Sequence, residues 1–142
     1  MEKAKTLGIL GGLGPMAGVY FYEKVTALTK ASCDQEHINV ILAGLADTPD
    51  RTDFILGKGT ADPTPRMIES ARILERAGAE VIAMPCNTAH YFYDAVAGSV
   101  QIPMLNIIEE TLKLVAAKGA HKIGLLATEG TIAAGTYPAA AE

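Results

Sequence analysis

The stretch Glu80-Val-Ile-Ala-Met-Pro-Cys-Asn-Thr-Ala-His90 carries an apolar run of strand length straight into a Pro-Cys-Asn-Thr turn. Apolarity without alternation marks a strand covered on both faces, as in a parallel sheet. The same kind of run recurs at Thr6 to Leu10, Ile38 to Leu42, Met104 to Ile107 and Lys122 to Leu126. Helix-length patterns separate these runs. One begins at Pro65 behind Thr64, places Ile68, Ala71 and Leu74 on one face and stops at Gly78; others run from Gly14 to about Thr29 and from Ile108 to Lys118. A further helix begins after Asn87, whose side chain is suited to cap free backbone donors, with Pro85 stiffening the approach. The reading is α/β: a doubly wound parallel sheet in a Rossmann-like three-layer sandwich. Its working face is formed by loops at the carboxyl ends of the strands.

With 142 residues, of which 49% are hydrophobic, the chain is long enough for one domain with a buried core. Its net charge of -4 comes from interspersed acids and bases, with no basic face, so nucleic acid is not an expected partner. Thr6 to Tyr22 is uncharged behind Lys3 and Lys5, which has the look of a signal peptide. Five glycines and Pro15 interrupt it, no small-x-small cleavage site follows, and it is too short to span a membrane. The two cysteines have no regular spacing and read as neither a disulfide framework nor a zinc site. A cytoplasmic location with reduced thiols is expected, and no membrane partner.

Leu7 to Gly14 aligns with Ile123 to Gly130 at an offset of 116 residues, sharing two glycines and a leucine among eight positions. Read as a duplication, this divides the chain into a first α/β domain, 1–103, and residues 104–142. The latter hold a connecting strand and helix and the incomplete start of a second, similar domain. A lone strand and helix cannot bury both faces of the strand, so the segment beyond about 119 reads as the beginning of something longer.

Cys86 falls where a buried strand ends and a helix begins, where backbone donors and the helix dipole favour thiolate. The alternative is a small buried cysteine, but the adjacent polar Asn87 and Thr88 argue for chemistry. His90, four residues on, would complete a Cys-His pair for hydrolysis or acyl transfer. One helical turn seldom presents a base to a nucleophile at its own start, so local packing or capping is the favoured role for His90. The turn from Gly8 to Ala17 follows a strand and opens a helix, with Pro15 suited to its first position, and offers backbone donors to an anion. It also fits a relaxed dinucleotide pattern, with Asp47 as ribose partner. In Pro49-Asp50-Arg51-Thr52 the guanidinium is placed to grip a carboxylate, unless it pairs with Asp50 or Asp53. Cys33-Asp34-Gln35-Glu36-His37 reads as a polar capping loop, and no metal is assigned to it.

Together, Gly8-Ile-Leu-Gly-Gly-Leu-Gly-Pro-Met-Ala-Gly18, Asp34-Gln-Glu-His-Ile38, Pro49-Asp-Arg-Thr52 and Met84-Pro-Cys-Asn-Thr-Ala-His-Tyr-Phe-Tyr-Asp94 resemble the aspartate/glutamate racemase family, closest to its aspartate branch. The likeness continues into Leu125-Leu-Ala-Thr-Glu-Gly-Thr131. The resemblance implies a cofactor-independent racemase of two similar α/β domains, often dimeric, acting on a small dicarboxylic amino acid. One cysteine from each domain flanks the α-carbon, one removing a proton and the other returning one to the opposite face. Carried over, Cys86 is the first-domain acid/base, and Asn87 and Thr88 hold the α-carboxylate or amino group. Arg51 grips the side-chain carboxylate, and the Leu13 amide faces the ligand. Thr128 and Thr131 stand within reach of the site. The family's second cysteine, in a Gly-Cys-Thr-Glu-like turn, is absent, as is its second-domain lysine; Cys33 lies before a strand and does not replace the cysteine. Racemisation by these residues alone is therefore not expected. The competing functions are a Cys86-His90 thiol hydrolase, a non-catalytic dicarboxylate-binding module and a dinucleotide-binding protein.

Overall fold

Every residue of β1 (Leu7–Gly11) is buried, as its unbroken apolarity requires. In the computed structural model, which describes residues 4–141 and so leaves Lys3 and Glu142 outside the described residues, β1 lies inside a four-stranded sheet. The other strands are β2 (Val40–Gly44), β3 (Val81–Ala83) and β4 (Met104–Leu105). All pairings are parallel, in the order β2-β1-β3-β4, with Leu7 opposite both Val40 and Val81 and Ile82 opposite Met104. The chain thus leaves β1 towards one edge and returns to its other side, which makes the gap between β1 and β3 the switch point of the sheet.

Helices cover both faces. Phe21 and Val25 of α1 (Pro15–Leu28) pack on Leu7, Ile9 and Ala83. On the opposite face α3 (Thr64–Arg76) and α4 (Tyr93–Ala97) bring Met67, Ala71, Leu74 and Val96 into one cluster with Leu10, Ile82 and Met84. The inward stripe of α3 runs through fully buried Met67, Ala71 and Leu74, while Ile68 is only half-buried at its flank. Each large side chain removed from water here contributes about 1.5–3 kcal/mol. The short α2 (Arg51–Ile55) follows β2, and α5 (Ile107–Ala117) follows β4 behind Asn106, which accepts hydrogen bonds from the Ile108 and Glu109 amides. In the loop before β2, expected to cap helix and strand ends, Glu36 Oε2 accepts the Ser32 amide at 2.7 Å within the loop, and the 3-10 turn at Asp34–Glu36 has no side-chain cap.

Lys122 to Leu126, expected as a strand, is irregular. Leu126 is 100% exposed and nearly half of Ile123 faces solvent. Its apolar pattern is real, but a strand needs a neighbour, and among the described residues none pairs with it. β4, on the far side of the expected boundary at 103, pairs with β3 in the same sheet. The chain ends in α6 (Glu129–Ala134) and α7 (Thr136–Ala141). Among the described residues no helix is long and apolar enough to cross a membrane.

Candidate active site

Because all strands run parallel, the loops after β1, β2 and β3 emerge on one edge of the sheet. They enclose a pocket of about 240 Å³ lined by Leu13 and Gly14 after β1, Asp50, Arg51 and Thr52 after β2, Cys86 and Thr88 after β3, and Thr128 just before α6. The sequence motifs are tens of residues apart, and the topology alone brings them together. Leu13, Arg51, Cys86 and Thr88 all reach this pocket as anticipated. Asn87 is exposed and does not line it.

Asn87 also caps no helix. Its backbone already has helical angles, φ -61 and ψ -47, whereas a capping side chain reaches back from extended backbone. Its Oδ1 accepts the Tyr137 hydroxyl at 2.5 Å instead. The chain continues from Asn87 as a 3-10 helix, Thr88–Phe92, leading into α4.

The glycine turn is pressed against the loop after β2. Gly12 has φ +85, and a Cβ there would stand 2.5 Å from the Leu45 carbonyl carbon, so no larger residue fits this approach. In the neighbouring loop, Asp50 Oδ1 accepts the Asp53 amide at 2.8 Å and starts α2. Its carboxylate is thereby engaged, and Arg51 pairs with neither Asp50 nor Asp53. Arg51 Nη1 donates to the Thr48 and Pro49 carbonyls at 3.2 and 3.0 Å, and its Nε is buried without a partner. Among the described residues Arg51 forms no ion pair, and it lines the pocket beside Asp50 with its Nη1 held by backbone carbonyls. Asp47 is held by Arg66 through contacts of 2.9 and 3.0 Å, which takes away the ribose partner that the dinucleotide reading required.

Cys86 is a free, half-buried thiol on the pocket wall; Cys33, the other free thiol, is exposed just before the 3-10 turn that precedes β2, at the amino end of that strand. His90 does not serve Cys86 as a base. Its Nδ1 is 2.7 Å from the Cys86 carbonyl oxygen and its Nε2 accepts the Ile107 amide at 3.1 Å, so both ring nitrogens are used by backbone. Burial lowers its pKa from the ordinary histidine value, against the opposing pull of the Cys86 and Leu105 carbonyls. This is the local structural role that the sequence favoured.

The far wall of the pocket is built by the returning chain. Thr88 Oγ1 lies 2.7 Å from Thr128 Oγ1 and 2.9 Å from Thr131 Oγ1, and the last two are 3.0 Å apart. Thr131 is 2% exposed, and Thr128 also caps α6 by accepting the Thr131 amide. Sequence reasoning placed these threonines near the site without finding the triangle of hydroxyls. It gave no site role of their own to Gly14, Asp50, Thr52 or Tyr137. For Asp50 a signal existed: an acid three residues before Asp53 at a helix start is a capping pattern. Tyr137 had none, since its partner is 50 residues away.

Comparison with known proteins places this geometry. The family model for Asp/Glu/hydantoin racemases matches residues 10–142. The broad specificity amino-acid racemase RacX of Bacillus subtilis (strain 168) is 34% identical over 135 residues, covering 92% of this chain and 58% of its own length. The aspartate racemase of Picrophilus torridus superposes with a TM-score of 0.88 at 32% identity, over 96% of this chain and 58% of its own. An aspartate racemase homologue from Pyrococcus horikoshii OT3 gives a TM-score of 0.78 at 29% identity, over 97% and 60%. The chain thus spans a little under two thirds of these relatives. With the motifs converging on one pocket and the fold shared throughout, the chain belongs to the Asp/Glu/hydantoin racemase family.

Proposed function

We propose that the pocket binds aspartate or glutamate and that Cys86 exchanges a proton with the α-carbon in a cofactor-independent racemisation. The observation that carries this reading is the pairing, in one small pocket, of a thiol with a guanidinium that forms no ion pair among the described residues. Arg51 takes the side-chain carboxylate, for which its planar donors are shaped. Thr88 and the Leu13 amide meet the α-carboxylate, where charge develops as the α-proton leaves. Asn87, read from the sequence as a partner for the same group, is exposed outside the pocket lining with its Oδ1 engaged by Tyr137, and it takes no part in this reading. A pocket of about 240 Å³ is below the ~300–1,000 Å³ typical of drug-sized ligands, which agrees with a small metabolite. The names of the relatives, an amino-acid racemase and an aspartate racemase, agree with it as well.

Inversion requires an acid and a base on opposite faces of the carbon. Cys33 stands at the amino end of β2 and cannot be the second. The second group comes from outside residues 1–142, and this chain alone binds the substrate without racemising it. The reading carries a cytoplasmic enzyme working as a homodimer, which sedimentation velocity tests. The thiol-hydrolase alternative loses its base, because His90 is committed to backbone at both nitrogens. Calorimetry with aspartate, followed by proton NMR of the α-hydrogen in D2O, tests the proposal. Binding without inversion is expected, with deuterium entering at the α-carbon in the wild-type chain and not in Cys86→Ser, and with binding lost in Arg51→Gln. No binding, or exchange that survives Cys86→Ser, would refute it.

A further inference from the structure

We infer that His90 is a positioning residue whose neutral imidazole, protonated at Nδ1, ties the Cys86 carbonyl to the Ile107 amide and so fixes the peptide that carries the pocket thiol. The partners decide the tautomer. A carbonyl oxygen only accepts, so Nδ1 at 2.7 Å donates; a backbone amide only donates, so Nε2 at 3.1 Å accepts. The bridge continues the sheet where its ladder ends. β3 and β4 pair only at Ile82 with Met104 and at Ala83 with Leu105, and beyond that the imidazole joins the two strand exits. Tyr93 reinforces it: its ring stacks on His90 with centroids 5.6 Å apart, and its hydroxyl donates to the Met104 carbonyl at 2.5 Å. His90 is itself buried.

Tyr93 is the titratable side chain stacked on the ring; Glu109 in the first turn of α5 and Asp94 act on Tyr93, and Cys86 meets the ring through its carbonyl. The influences on His90 itself are burial and the carbonyls of Cys86 and Leu105. A proton arriving at Nε2 would turn that nitrogen from the Ile107 amide towards the Leu105 carbonyl. The bridge therefore belongs to the neutral ring.

The bridge stands on geometry alone; its bearing on turnover rests on the proposed racemase function. Nitrogen-15 NMR of the wild-type chain labelled at histidine reads the tautomer directly, with assignment by His90→Gln. The expected signature is a neutral ring bearing its proton on Nδ1 at pH 7; a proton on Nε2, or a charged ring at pH 7, overturns the inference. Variants then separate the two ends. His90→Phe removes both contacts, and exchange of the Ile107 amide is expected to accelerate on the order of tenfold, the effect of losing one hydrogen bond. It should also change the rate at which iodoacetamide alkylates Cys86 while leaving Cys33 unchanged. His90→Asn keeps a donor for the Cys86 carbonyl and should restore only the alkylation rate; His90→Gln keeps an acceptor for Ile107 and should restore only the amide protection. Equal Cys86 rates in His90→Phe and wild type would overturn the positioning role. Should the tautomer and exchange results hold while aspartate fails to bind, the proposed substrate falls and the bridge stands.

Discussion

Replacing Gly130 with Ala sets two effects of similar size against each other. Ala is favoured over Gly inside a helix by about 0.5–1 kcal/mol, so on propensity alone α6 should gain. The structure opposes this. A Cβ at position 130 would lie 2.7 Å from Thr52 Oγ1, 3.0 Å from Thr52 Cα and 3.0 Å from Thr88 Cγ2. Thr52 Oγ1 can rotate away. Its Cα is backbone, and Thr88 is pinned by the hydroxyls of Thr128 and Thr131. Overpacking of this kind costs about 1–3 kcal/mol, which outweighs the propensity gain and leaves a net loss of about 1 kcal/mol. A helix of six residues would meet that loss by lifting off the pocket wall before the sheet unfolds. Hydrogen-exchange mass spectrometry of residues 128–134 should show protection falling by about 5–10-fold, with β1 and β3 unchanged. Unchanged or increased protection in α6, with a melting temperature raised by a few degrees, would refute the close approach of Gly130 to Thr52 and Thr88.

Thr131→Val keeps the shape of a buried residue and deletes two hydroxyl contacts, leaving the Thr88–Thr128 pair; chemical denaturation should report a loss of about 1–2 kcal/mol. Leu74→Ala, at a site with 0% exposure beneath β1, should cost about 2–5 kcal/mol by the same measurement. The depressed pKa of His90 fixes a sign: below its unfolded value near 6.5 the unfolded chain holds more protons than the folded one, so acid favours unfolding. Stability from this residue should be full above about pH 6.5 and decline as pH falls towards the folded-state value, and His90→Phe should flatten that part of the curve.

The parts of the fold that sequence foretold are those whose causes are local. β1 could be read because a strand buried on both faces must be apolar throughout, and α1 because Pro15 suits a first helical turn. Lys122 to Leu126 satisfies the same local test as β1, yet forms no strand, because pairing depends on a neighbour that local apolarity does not supply. The site shows the same division. Cys86 and Arg51 were read from turns that follow strands and Leu13 from the family resemblance, and a parallel sheet gathers those turns on one edge. Whether Arg51 would be neutralised by its neighbours could not be read from their spacing. It turns on the Asp50 carboxylate being engaged by the Asp53 amide. The capping role expected of Asn87 failed because its conformation and its partner Tyr137 are both set by tertiary packing.

The most direct test of the account is protection of Cys86 from alkylation, with exposed Cys33 in the same chain as internal reference. Iodoacetamide labelling with peptide mass spectrometry gives both rates in one sample. Aspartate is predicted to slow labelling at Cys86 and leave Cys33 unchanged, and Arg51→Gln should remove the protection. Equal labelling of Cys86 with and without aspartate at saturating concentration, or protection that persists in Arg51→Gln, would contradict the claim that this thiol and this guanidinium share one substrate.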